Sequence, residues 1–382
     1  MTATAVPVRP SRRSALREFG GSVATIAVKE LRSRMRGRRA FVVLTIYLGL
    51  LALLTYGIYV VVAPNARSMS VFGGSTPNAS ALIGQAIFTF MSIFQLILVA
   101  FIAPAFTAGQ ISLEREKQTL DLLVSTPMRP AAIVIGKLAA ALAFVVLMIV
   151  AAIPITAIVL MYGGASIDDI VRQQLVLLAS ATALGSVGLF FSALLKRTQA
   201  ATVLTYITML FLTLGTALLF AFWTIVLIQS NAGNPLAGSQ RAPEQVLYVN
   251  PGVAMLDVVA NTEPGGGAGV ASFLNQLRGE TPSFTGGRVD CIGPDCVAVD
   301  DFGNPVGQPF DIASTGYWWP RIALTLLGLS VILTFAATRL VVPAGMRWAF
   351  RRRTPRRAAT SGATPVATAT ATATDEIEEL QP

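Results

Sequence analysis

The sequence predicts an all-α polytopic membrane protein. It has six transmembrane helices, an amphipathic helix before the first, a short helix between the second and third, and one large loop between the fifth and sixth. Three observations carry this reading. The 382 residues are 53% hydrophobic and only 13% charged, about half the charged share of an ordinary soluble domain, and mean hydropathy is +0.63. The apolar residues gather in six long runs, each able to supply the roughly 20 residues that a helix needs to cross a bilayer. The net charge is +9, and 23 of the 29 Lys and Arg residues fall on one side of the layer those runs define.

The runs cover residues 40–63, 81–108, 133–162, 175–195, 200–228 and 317–341. The second, third and fifth exceed a straight crossing, so they tilt or extend beyond the bilayer. Pro104 and Pro154 are kinks that lipid-buried helices tolerate when neighbouring groups take up the freed carbonyls. No run has Asp, Glu, Lys or Arg near its centre. Lys137, Arg172, Arg321 and Arg339 fall at run ends, where they can snorkel to the interface. The internal polar residues are Gln85 and Gln95 in the second run and Thr202, Thr205, Thr208, Thr213 and Thr216 in the fifth. They either hydrogen-bond between helices or line a path. Gln85, Gln95, Thr205 and Thr208 are the path-lining candidates.

The basic side is the cytoplasmic side by the positive-inside rule, which places both termini in the cytoplasm. The chain then divides into a basic segment 1–39, five spans in 40–228, an extracytoplasmic loop 229–316, a sixth span 317–341 and a tail 342–382. The first 39 residues are too polar and basic for a secretory signal. Residues 358–382, an Ala/Thr/Pro alternation before Asp375, Glu376, Glu378 and Glu379, are expected to be disordered. Only four of the basic residues are lysine, and Ala and Gly abound. That composition points to a GC-rich bacterium and its cytoplasmic membrane.

Several function classes lose their chemistry. There is no histidine, the commonest general base and metal ligand. Two cysteines are too few for a four-thiolate metal site. Asp168-Asp169 has no companion cluster and reads as a solvated turn. The arginines edge a membrane, so they give no ground for a nucleic-acid partner. No G-x-x-x-x-G-K-[ST] phosphate loop occurs, because Gly136-Lys137 is followed by Leu138.

Three extramembrane pieces carry information. In residues 20–39, Val23, Ile26, Ala27 and Leu31 form an apolar stripe, while Lys29, Arg32, Arg36 and Arg39 project elsewhere. This is either a helix lying in the interface or a basic flank that only fixes orientation, and Gly37 supplies a bend into the membrane. In residues 109–137, Leu113, Leu120, Leu123 and Val124 form one helical stripe and Glu114, Gln118, Asp121 and Ser125 another. Thr126-Pro127 ends that helix. Such a helix either docks on a partner or is a solvated connection. Loop 229–316 has three basic and nine acidic residues, is rich in Gly and Pro, and has strand-poor patterning. Its stretch 246–259 is apolar enough to pack on the membrane or on the mouth of the spans. Cys291 and Cys296 flank Gly293-Pro294, as a small disulfide loop, two free thiols or part of a metal site.

The 109–137 loop resembles the membrane subunit of type-2 ABC exporters. The similarity lies in Glu114-Arg115-Glu116-Lys117, Thr119-Leu120-Asp121-Leu122-Leu123, Ser125-Thr126-Pro127 and Ile133-Val134-Ile135-Gly136-Lys137, with Lys29-Glu30-Leu31 ahead of the first span. It extends over roughly residues 20–345. The departure is Gln118, where the family often has glycine, and it bears on the local bend. The resemblance implies that the loop holds a coupling helix seated on a nucleotide-binding subunit. Glu114 and Glu116 would be its polar contacts, and Thr119, Leu120 and Leu123 part of its packing surface. Lys29, Glu30 and Leu31 would belong to a connecting helix nearby. It further implies a separate ABC ATPase that holds ATP and Mg, no cofactor on this chain, and a second copy or similar permease. Export is the expected direction, the alternative being a non-transporting anchor or regulator on the same scaffold. Nothing in the sequence selects a substrate.

Overall fold

The computed structural model describes residues 12–35, 38–71, 79–119, 130–231, 244–262, 288–292, 295–299, 310–311 and 318–341. The chain divides into the units Met1–Val342 and Pro343–Pro382, and the second lies outside the described residues. Within the first, six helices are long and apolar enough to cross a membrane: Ala40–Pro64, Ser80–Glu116, Pro130–Tyr162, Ile167–Leu194, Thr198–Leu227 and Trp319–Val341. These are spans one to six, and they match the six apolar runs.

The ends differ where local hydrogen bonding overrides hydropathy. Span four starts at Ile167 rather than at residue 175. Ser166 Oγ accepts from the Asp169 amide at 3.2 Å, while the Asp169 carboxylate accepts from the Ser166 amide at 2.9 Å. This reciprocal capping box satisfies two amides that a helix start leaves free. Asp168 pairs with Arg172 one turn on. The aspartates expected in a solvated turn therefore begin a helix, and Asp169 is buried. Span three breaks at Ala152 into Pro130–Ala151 and Ile153–Tyr162. Pro154 sits in the first turn of the second piece, where its missing amide removes no helical bond. Gly163 ends that piece with φ +76°. The adjoining Gly164 presses on span two so closely that a Cβ there would lie 2.1 Å from the Gln85 nitrogen.

Span four is the axis of the bundle. Of its apolar stretch 72% is buried, against 17% for span one and 11% for span five. The largest core joins Leu96 and Val99 of span two, Val176, Leu177 and Ala181 of span four, and Ile322 and Leu326 of span six. Span five leans on this body more loosely, and Tyr206 donates from its hydroxyl to the Phe101 carbonyl of span two at 3.0 Å.

The same core takes in Leu247, Val253, Met255 and Val258 from between spans five and six. Here a 3-10 turn, Glu244–Val249, leads into a helix, Pro251–Ala260. The apolar stretch 246–259 thus packs against the bundle. Two side chains fasten it. Asn250 caps the helix, its Oδ1 accepting from the Gly252 amide at 2.8 Å, and its Nδ2 donates to the Thr213 carbonyl at 2.7 Å and to Thr216 Oγ1 at 2.9 Å. Thr213 belongs to a π-helical turn, Phe211–Gly215, that interrupts span five and disturbs its hydrogen-bond ladder. Asp257 is fully buried, and its Oδ2 accepts from the amides of Trp318 and Trp319, both at 2.9 Å, at the start of span six.

The large loop also holds a small antiparallel sheet of β1 (Arg288–Ile292), β2 (Asp295–Val299) and β3 (Phe310–Asp311), in that order. The strand-poor patterning of this loop gives little sign of them. Segments of five residues or fewer among Gly and Pro leave too little alternation to stand out. Cys291 and Cys296 are direct partners across β1 and β2.

Replacing Asp257 by Ala is expected to remove the acceptor of two amides at the start of span six, one buried and one half-buried, at about 1–3 kcal/mol each. The midpoint of thermal unfolding in detergent should fall clearly, whereas Thr325→Val, which loses one hydroxyl bond to the Tyr248 carbonyl, should move it by about 1 kcal/mol or less.

Candidate functional site

The basic end of the bundle gathers the residues singled out in the loop between spans two and three. The chain leaves the regular helix of span two at Thr107, turns through residues 108–111 and forms a short helix, Ser112–Glu116. Its opening amides are met from another span: Ser192 Oγ in span four accepts from the amides of Ile111 at 2.9 Å and Ser112 at 3.0 Å. The N-cap residue, Ile111, supplies no side-chain cap of its own.

The short helix then stops. The Thr119 amide donates to the Glu114 carbonyl at 2.9 Å and the Gln118 amide to the Arg115 carbonyl at 3.2 Å. Between them Gln118 takes the left-handed conformation, φ +58°. This is the Schellman ending, which favours glycine at the left-handed position because a Cβ is strained there. The expected helix is therefore interrupted after Glu116 by the bend at Gln118, and its remainder, residues 120–124, lies outside the described residues. Leu120 and Leu123 lie outside the described residues.

The three charges of the short helix each reach a different span. Glu114 Oε1 is 2.6 Å from the ammonium of Lys137, in the second turn of span three. Lys137 is only 4% exposed, so it turns inward to a carboxylate and does not snorkel. Arg115 donates to the Ala193 carbonyl at 3.2 Å and the Leu195 carbonyl at 3.4 Å, where span four ends and its last carbonyls lack helical partners. Glu116 Oε1 accepts from the Thr198 amide at 2.7 Å, the first of span five, where the helix dipole favours an anion. Both glutamates expected to face a partner are thus engaged within the chain. What the short helix leaves to solvent is Leu113, Glu116, Lys117, Gln118 and Thr119.

The N-terminal helix Arg12–Met35 lies alongside this assembly. A Cβ on Gly136 would lie 2.9 Å from the Ile26 side chain and 3.4 Å from the Val23 carbonyl. The apolar stripe predicted for an interfacial helix therefore packs on the start of span three. Lys29 is exposed, and Glu30 and Leu31 are half-buried. Gly37 lies outside the described residues.

A family profile described as "ABC-2 family transporter protein" matches residues 24–352. The chain belongs to the ABC-2 transporter family. No curated protein sequence matches it. The match begins inside the N-terminal helix and takes in all six spans, so this ABC-2 protein is a multi-pass membrane subunit of a transporter.

The path-lining candidates of this ABC-2 protein have distinct settings. Gln95 is fully buried, and its Oε1 accepts from Gln173 Nε2 of span four at 3.2 Å. Gln95 Nε2, Gln173 Oε1 and Gln85 Nε2 are buried with no hydrogen-bond partner among the described residues. Thr205 and Thr208 donate to the carbonyls of Ala201 and Leu204 in their own helix, at 2.6 and 2.9 Å. Ser192, Gln173 and the role of Arg115 carry no signal in the sequence. A serine, a glutamine and an arginine each have many uses, and only the fold places them against helix ends or other amides.

Gln118→Gly is expected to stabilise the folded protein by about 1 kcal/mol by relieving the left-handed residue. Gln118→Val, with a branched Cβ, should lower the unfolding midpoint in detergent.

Proposed function

We propose that this protein is the permease of an ATP-driven exporter, with its basic end in the cytoplasm of a bacterium and its energy supplied by a separate ATPase subunit. One observation carries the reading: the loop between spans two and three is fastened to spans three, four and five by Lys137, the Ala193 and Leu195 carbonyls and the Thr198 amide, yet keeps an exposed edge at Leu113, Lys117 and Thr119. A surface that is exposed on one side and tied to several spans on the other suits the transmission of force. The nucleotide-binding subunit seats on that edge together with Leu120 and Leu123, and ATP and Mg are held on that subunit. The N-terminal helix around Lys29, Glu30 and Leu31 flanks the contact.

Two further observations support an external energy source. The spans carry no ionisable residue near their centres, where proton- or sodium-coupled carriers place functional charges. The sequence also has no phosphate loop. ATP-driven closure of two ATPase subunits would move the attached spans as bodies between two arrangements. A second copy or a similar permease completes the path, with Gln85 and Gln95 as its polar groups.

Purification of the chain from its native membrane is expected to bring down a protein with a phosphate loop, and Leu113→Glu to reduce that recovery at least tenfold while the chain still inserts. Full recovery with Leu113→Glu would overturn the docking edge.

The orientation and the cysteines share one measurement. A membrane-impermeant maleimide applied to intact cells should modify Cys291 and Cys296 only after an impermeant reductant. Modification of both without reductant would sink the disulfide, and modification only in inverted vesicles would reverse the topology.

A further inference from the structure

We propose that Glu114, Arg115 and Glu116 form an internal joint that makes spans two to five move together, and that Lys137 is its positioning residue, rather than the glutamates being contacts for the ATPase. The inference rests on the reading of this chain as an ATPase-coupled permease and goes a step into its mechanism.

The geometry is that of a joint. Span two runs into the short helix through a single turn whose amides are held by Ser192 of span four. Arg115 and Glu116 then grip the turn between spans four and five from both sides: the guanidinium takes the Ala193 and Leu195 carbonyls before it, and the carboxylate takes the Thr198 amide after it. That turn carries no side-chain cap of its own at the start of span five, so its geometry depends on the visiting carboxylate. The Glu114–Lys137 pair ties in span three. Spans one and six receive none of these bonds among the described residues.

The pair with Lys137 is the member whose role can be separated from stability. A buried ion pair commonly holds a fold no better than two apolar side chains of similar volume, but removing one partner leaves an uncompensated charge. What the pair adds is register. At 2.6 Å the ammonium fixes where the short helix sits along span three, whereas leucine and methionine can slide against each other. Lys137 is nearly fully buried, and the bonded Glu114 Oε1 is directed at it, so this carboxylate oxygen is turned away from any protein docking from the cytoplasm.

The test uses the full chain with its co-purified ATPase in liposomes. Cys291 and Cys296 are replaced by Ser, and spin labels are placed at Met161→Cys and Leu324→Cys, both exposed and near the end of the bundle opposite the joint. The distance between them is measured by pulsed electron resonance with and without ATP and vanadate. Glu114→Gln alone should lower the unfolding midpoint, because Lys137 loses its partner. Glu114→Leu/Lys137→Met should restore the midpoint and retain the ATPase, yet reduce the fraction of molecules that shift on adding ATP at least tenfold. A double variant that shifts like the parent would overturn the joint and leave the pair purely structural. Loss of the ATPase from the double variant would also overturn it, by making Glu114 a contact. A parent chain that recovers no ATPase, or shows no ATP-dependent shift, would instead overturn the function proposed above.

Discussion

The structure depends throughout on one constraint: inside hydrocarbon, every backbone amide and carbonyl needs a partner from the protein itself. Uninterrupted helices meet it automatically, so the demand falls where a helix starts, stops or changes pitch. In this chain those places are served by named side chains. Ser166 and Asp169 serve the start of span four, Arg115 its end, Glu116 the start of span five, Asn250 the π-helical turn within span five, and Asp257 the start of span six.

The two ends of the bundle solve the problem in the same way. At the basic end, a short helix leaves the membrane layer and caps the turn between spans four and five with its own charges. At the acidic end, the segment around Pro251–Ala260 returns to the bundle and uses Asn250 and Asp257 to serve spans five and six. In both cases an excursion of the chain becomes a cross-link between spans distant in sequence. The cross-links also distribute rigidity unevenly. Span four is enclosed on most sides, while spans one and five keep most of their apolar surface uncovered and are free to meet lipid or another chain.

The fold was largely legible in the sequence, because the signal for a membrane span is collective. Some twenty apolar residues in a row outweigh any single misplaced side chain. Helix ends were less legible. Hydropathy starts span four at residue 175, but the capping box at Ser166 and the pairing of Asp168 with Arg172 carry the helix outward through polar residues. The small sheet was hidden because its strands are too short to show a period. In the loop, Gln118 stands where the family often has glycine, and the chain still bends there, with φ +58°. The partners of Glu114 and Glu116 were not readable, since 23 and 82 residues separate them from Lys137 and Thr198.

The sequence by itself therefore determined the six spans and the two-sided charge distribution. These follow from composition and spacing along a single helix. Only the tertiary structure decided that Lys137 is buried in an ion pair, that the N-terminal stripe packs on Gly136, and that Asp257 begins span six. Hydrogen bonds and ion pairs act over about 3 Å, and nothing in a linear order of residues brings such distant atoms that close. Packing around span four does.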